Sequence, residues 1–116
     1  MKRSDINRLI KTAQLRFHEH GWALPPKPRW DVTDFGLGDW KASGLVLINL
    51  CEEPEYCEKL MFALKGMKTP AHTHLRKKED IICRWGELEI HLFYNESQEL
   101  PAATFVKVDG EKVEVD

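Results

Sequence analysis

The residues best placed to do chemistry fall between Gly66 and Gly86. His72 and His74 are two apart, so on an extended chain both imidazoles project from one face and can reach one cation. Glu79 follows five residues later and can return a carboxylate to the same point once the chain turns through the basic loop Leu75-Arg76-Lys77-Lys78. Two neutral imidazoles and one carboxylate suit a divalent transition metal and leave coordination positions for a further ligand and for substrate. Any single histidine on a strand is more often a surface or hydrogen-bonded residue than a ligand, so the weight rests on the whole spacing.

That spacing is G-x5-H-x-H-x4-E-x6-G, from Gly66 through His72, His74 and Glu79 to Gly86. It is similar in every position to the first conserved motif of the cupin superfamily. Glycines at its two ends belong where strands bend or turn and a side chain would obstruct the backbone. Cupins add a fourth ligand, a histidine, from a second motif, G-x5-P-x-G-x2-H-x3-N, which these 116 residues do not contain. His91 lies too near the first motif to take that part, and the second motif with its strands is expected beyond Asp116.

Elements must hold this set in place. Ile6, Leu9, Ile10, Ala13 and Phe17 recur at helical spacing, which predicts one helix over about 5 to 20, with Ser4 as N-cap and Gly21 as its end. The proline-rich stretch Leu24 to Arg29 reads as an extended arm lying across the body. Asp34 to Asp39 supplies turn chemistry, and strands follow. Runs 44–50 and 59–64 are consecutive strands across the acidic turn Glu52-Glu53-Pro54-Glu55, and 86–94 alternates with Leu88, Ile90, Leu92 and Tyr94 on one face. Segments 104–108 and 112–115 flank Asp109-Gly110, which predicts a hairpin. One helix followed by short strands argues for an antiparallel sandwich or barrel rather than an α/β sheet. The expected fold is therefore mainly β, a cupin-type antiparallel barrel or jelly roll with an N-terminal helix, lacking its last strands. A single domain spans 1–116, with the helix and arm over 1–40 and a partial barrel over 41–116.

Composition narrows the partners. With 42% hydrophobic and 31% charged residues this is an ordinary globular chain, at the small end for burying a core of its own. A net charge of -2, with both signs spread along the chain, gives no reason to expect nucleic acid or an anionic membrane. A small uncharged or weakly charged ligand fits better. Cys51, Cys57 and Cys83 form neither an even disulfide set nor a C-x-x-C pair and read as reduced thiols. The N-terminus has no apolar leader and no run approaches membrane-spanning length, so a cytoplasmic location is expected.

Four local blocks carry a closer resemblance: Met1-Lys-Arg-Ser-Asp-Ile-Asn, Gly21-Trp-x-Leu-Pro-Pro, Leu50-Cys-Glu-Glu-Pro-Glu-Tyr-Cys-Glu-Lys59 and Glu79-Asp-Ile-Ile-Cys-Arg-Trp-Gly86. Together they look like the D-lyxose ketol-isomerase family, and the likeness runs through nearly all of the chain. It implies a cupin that binds a divalent metal, usually manganese, with zinc, iron, cobalt or nickel as other candidates. It also implies interconversion of D-lyxose with D-xylulose and of D-mannose with D-fructose. The family's metal ligands fall on His72, His74 and Glu79 and its catalytic lysine on Lys77, while a homodimer is the expected assembly. Aldose to ketose conversion needs a proton removed beside a carbonyl, a step that a metal eases as a Lewis acid. Lys77 could shuttle that proton if a nearby cation and partial burial lower its pKa, although a lysine within Arg76-Lys77-Lys78 is more often a solvated charge. Competing readings are an iron-dependent cupin dioxygenase with the same ligand set, and a metal- or sugar-binding remnant without activity.

Overall fold

The computed structural model describes residues 1–70, 80–91, 93–95, 98–99, 106–108 and 112–113. The chain divides into two compact units, Met1–Pro70 and Ala71–Asp116.

In the first unit, helix α1 (Arg3–Glu19) buries Leu9, Ala13 and Phe17, one residue per turn along a single stripe. Ser4 lies inside the helix rather than capping it. Lys2 is the N-cap and makes no side-chain capping bond, its carbonyl accepting from the Asp5 and Ile6 amides at 3.1 Å each. Asp5 in the first turn offsets the bare end through the helix dipole. The other end follows the sequence closely. Gly21 takes a left-handed conformation (φ 70°), its amide donates to the His18 carbonyl at 3.0 Å, and the Trp22 amide donates to the Phe17 carbonyl at 3.0 Å. These two crossed bonds make a Schellman motif, and its usual hydrophobic contact is present, with Trp22 stacked on Phe17 at 5.3 Å.

Three antiparallel strands lie against this helix in the order β1 (Arg29–Thr33), β2 (Leu45–Glu52), β3 (Cys57–Phe62). β1 falls at the end of the segment expected to be an extended arm. Pro28, which has no amide to donate, sits just before it, and β1 occupies a sheet edge where that loss is tolerated. The register sets Val32 opposite Val46 and Phe62, and Trp30 opposite Ile48 and Leu60, so these side chains share one face. Leu9, Ala13, Phe17, Val46 and Ile48 form the core, with Trp22, Trp30, Leu60 and Phe62 packed around it. Phe17 is the hub: besides Trp22 it stacks on Trp30 at 6.5 Å and meets Phe62 edge-on at 6.3 Å. A bulge between Asn49 and Cys51 turns Leu50 outward, where it is exposed. The hairpin then closes through reciprocal Glu53 and Tyr56 backbone bonds.

The second unit pairs by nesting. β4 (Ile81–Ile82) pairs with β9 (Lys112–Val113), β5 (Leu88–Ile90) with β8 (Val106–Val108), and β6 (Phe93–Asn95) with β7 (Gln98–Glu99), all antiparallel. This is the order of one long ribbon folded on itself. It corrects the hairpin expected around Asp109-Gly110: the strands on either side of that dipeptide pair with β5 and β4, not with each other. Asp-Gly permits a tight turn locally, but which ladder a strand joins depends on distant partners. The strand expected over 86–94 is likewise divided, with β5 ending at Ile90 and β6 starting at Phe93. Leu88, on the apolar face of that alternation, is exposed. The architecture is the expected class, mainly β and antiparallel behind one N-terminal helix. Among the described residues the strands form four separate sheets and no closed barrel.

Candidate functional site

His72, His74, Lys77 and Glu79 lie outside the described residues; what the structure describes is how the chain approaches and leaves them. On the approach, the chain leaves β3 through a turn in which the Met67 amide donates to the Leu64 carbonyl at 3.0 Å, with Gly66 at φ 89°. The Lys68 amide then donates to the Ala42 carbonyl at 2.9 Å, and Ser43 and Lys68 form an isolated parallel bridge. Met67 packs against the core, which fixes the turn from below. Gly44, next to the bridge, has no room for a side chain. A Cβ there would stand 2.5 Å from the Trp40 carbonyl oxygen and 3.2 Å from the Met67 methyl. The start of the motif is therefore tied to the beginning of β2 by backbone bonds and one close approach, four residues before His72.

On the exit, Asp80 leads into β4, and the Cys83 thiol donates to the Gly86 carbonyl at 3.3 Å across a turn with Gly86 at φ 86°. Both motif glycines thus hold left-handed backbone that an L side chain rarely adopts, which is the physical reason for glycine at each end of the spacing. Cys83 is buried and Trp85 at the turn is exposed. The sequence marked the glycines; Gly44, Met67 and Cys83 as positioning residues carried no pattern that could have found them.

Elsewhere, the described residues hold no group of three or more histidine, cysteine, aspartate or glutamate side chains arranged to take a metal ion. His91 stands 4.0 Å from Glu89 on β5's edge of the chain, about half exposed. None of the three cysteines is in a disulfide, and the register places Cys51 opposite Glu58 and Cys57 opposite Glu52, so the two thiols of that hairpin point to opposite faces. Tyr56 has its phenol pKa raised, first by the hydrogen bond it donates to Glu58 at 3.0 Å and then by that carboxylate's charge. That group is exposed and lies ten residues before Gly66. Among the described residues no helix is long and apolar enough to cross a membrane.

The sequence profile of the family described as D-lyxose isomerase matches residues 27–116. The match takes in the whole of the Gly66–Gly86 motif and most of the chain, and this protein belongs to the D-lyxose isomerase family. A protein from Escherichia coli O157:H7 named D-lyxose/D-mannose isomerase is 32% identical, the match covering 93% of this chain and 62% of the relative. One of the same name from Serratia proteamaculans is 31% identical over 95% of this chain and 63% of its own. A third, from Thermosediminibacter oceani, is 27% identical over 79% of this chain and 55% of its own. The chain thus spans less than two thirds of the length of these relatives. No solved structure matches it. The first alignment runs over 140 positions, more than the 116 residues available, so about thirty of its positions hold residues of the relative alone.

Proposed function

We propose that this chain is the metal-binding portion of a cupin-type aldose–ketose isomerase acting on free sugars such as D-lyxose and D-mannose. The observation that carries this reading is the complete G-x5-H-x-H-x4-E-x6-G spacing, bounded by two glycines in left-handed backbone, within a member of the D-lyxose isomerase family. The names of the E. coli and Serratia relatives support the choice of sugars.

The donor set suits a hard-to-borderline divalent ion, manganese first, held by His72, His74 and Glu79 with positions left open. Such an ion, when bound, supplies Lewis-acid polarisation of the sugar carbonyl and its neighbouring hydroxyl. The protein's own residues do the rest. His72 and His74 must be neutral to donate lone pairs, so acid that protonates them competes directly with binding. Lys77, between His74 and Glu79 in sequence, takes the proton from the carbon beside the carbonyl and returns it to the former carbonyl carbon through an enediol, while the hydroxyl proton of the first carbon passes to the former carbonyl oxygen. That role requires a lowered ammonium pKa, which a neighbouring cation favours. Three cysteines outside disulfides fit a reducing cytoplasm, and the homodimer is proposed from the family resemblance alone.

The experiment is turnover of D-lyxose and D-mannose by the manganese-loaded full-length protein in deuterated water. Ketose with solvent deuterium at C1 or C2 is expected. Lys77→Met should abolish turnover, a loss of at least a hundredfold, while manganese binding by calorimetry is unchanged. His72→Ala and His74→Ala should each abolish metal binding itself. Oxygen uptake in place of ketose would replace the isomerase with an iron oxygenase; metal binding that survives both histidine changes would remove the proposed centre altogether.

A further inference from the structure

β1 and β3 are the two outer strands of the sheet in the first unit, and among the described residues nothing pairs with the outer edge of either. An open edge is a template for another strand unless charge or a covering element blocks it. The two edges differ in what they offer to a copy of themselves. Copies of one strand that meet antiparallel about a two-fold axis normal to the sheet keep every side chain on its own face, so each residue opposes itself or one an even number of places away. For β3, centring on Glu58 or on Lys59 opposes like charges, and centring on Leu60 sets Glu58 against Phe62 and Lys59 against Met61. That edge is self-repelling in every central register.

β1 is self-complementary in one register. Centring on Trp30 sets Arg29 opposite Asp31 of the second copy and Asp31 opposite its Arg29. Centring on Arg29 brings two guanidinium groups together and draws Pro28, which has no amide, opposite Trp30; centring on Asp31 brings two carboxylates together. The exposures agree with the first arrangement. Arg29 and Asp31 are exposed on the face of the sheet away from the core, while Trp30 between them is half-buried and stacked on Phe17. Within its own chain Arg29 stands 3.9 Å from Glu52, but both side chains are about half exposed or more, and a solvated pair of that kind holds a guanidinium weakly.

We infer that the outer edge of β1 is the surface on which a second copy of this chain docks. Two copies join edge to edge in the register centred on Trp30, with reciprocal Arg29–Asp31 pairs on either side of the axis, and their three-stranded sheets continue into each other. The inference supplies an interface for the homodimer proposed above and rests on that assembly; it is independent of the reaction catalysed.

The test is charge exchange, read by sedimentation of the full-length protein over a range of concentrations. Arg29→Asp and Asp31→Arg each set like charges face to face at both pairs, and each should weaken the dimer at least tenfold. Both positions are exposed, so the variants should keep the circular dichroism of the parent. Mixed together, the two variants oppose Asp and Arg at both pairs and should form a heterodimer within threefold of the parental affinity. The variant carrying both changes should recover a homodimer in the same way. A monomeric parent would overturn this interface and the homodimer with it. A dimer indifferent to the single changes, or dissociated variants that neither recombine on mixing nor recover in the double variant, would overturn the β1 interface and leave the assembly standing.

Discussion

The two units of this chain solve the same problem with unequal means. In the first, a 17-residue helix lies on a three-stranded sheet, and five side chains from both layers are buried together around Phe17. In the second, each described strand has one described partner, and Ile82, Trp85 and Leu88 are all exposed, Trp85 at 67%. A two-stranded ribbon has no second layer of its own, and an isolated hairpin is marginal in water. Burial follows from having a layer to pack against, not from the hydrophobicity of the strand. Ile82 and Ile48 are the same residue type, one 56% and the other 0% exposed.

The sharpest way to break this contrast is Phe17→Ala, which removes the ring shared by Trp22, Trp30 and Phe62. A loss of about 3–5 kcal/mol in chemical denaturation is expected for a large side chain deleted from a core. Less than one would mean that the helix is not what holds the sheet. Gly44→Ala comes next, since its Cβ meets a backbone oxygen that cannot move aside as a side chain can. Strain of about 1–3 kcal/mol is expected there, together with loss of the Ser43–Lys68 bridge, read by faster exchange of the Lys68 amide. Gly21→Ala should cost about 1–2 kcal/mol, because left-handed backbone disfavours a Cβ and the Schellman bonds depend on it. Smallest is Ile82→Ser in the second unit, expected within about 0.5 kcal/mol for an exposed position. A larger effect would show Ile82 buried in solution and erase the distinction between the units.

The candidate site and the fold were legible to different degrees. The spacing of the proposed ligands is a matter of covalent geometry, since residues two apart on extended chain share a face, and Gly66 and Gly86 announce turns because other residues resist positive φ. Helix α1 was legible for a similar reason. Its stripe at Leu9, Ala13 and Phe17 repeats with the helical period, and Gly21 with Trp22 supplies its end. Its beginning was not: Ser4 has the right chemistry for a cap, yet the helix starts one residue earlier, and the bare N-terminus at Lys2 holds without it.

Local pattern also said little about pairing. Trp30-Asp31-Val32-Thr33 alternates as a strand does, but the prolines ahead of it suggested an arm, and its neighbour β2 settles the matter by supplying a ladder from Arg29–Asn49 to Thr33–Leu45. Asp109-Gly110 would suit a hairpin, and still the strands around it go to β4 and β5. What the chain determined by itself was the set of short-range facts: where a helix runs and where the backbone must turn. Only the tertiary structure decided strand partners, which of two isoleucines is buried, and why Gly44 admits no side chain. Those depend on atoms brought together from distant parts of the sequence, and no window along the chain contains both sides of such a contact.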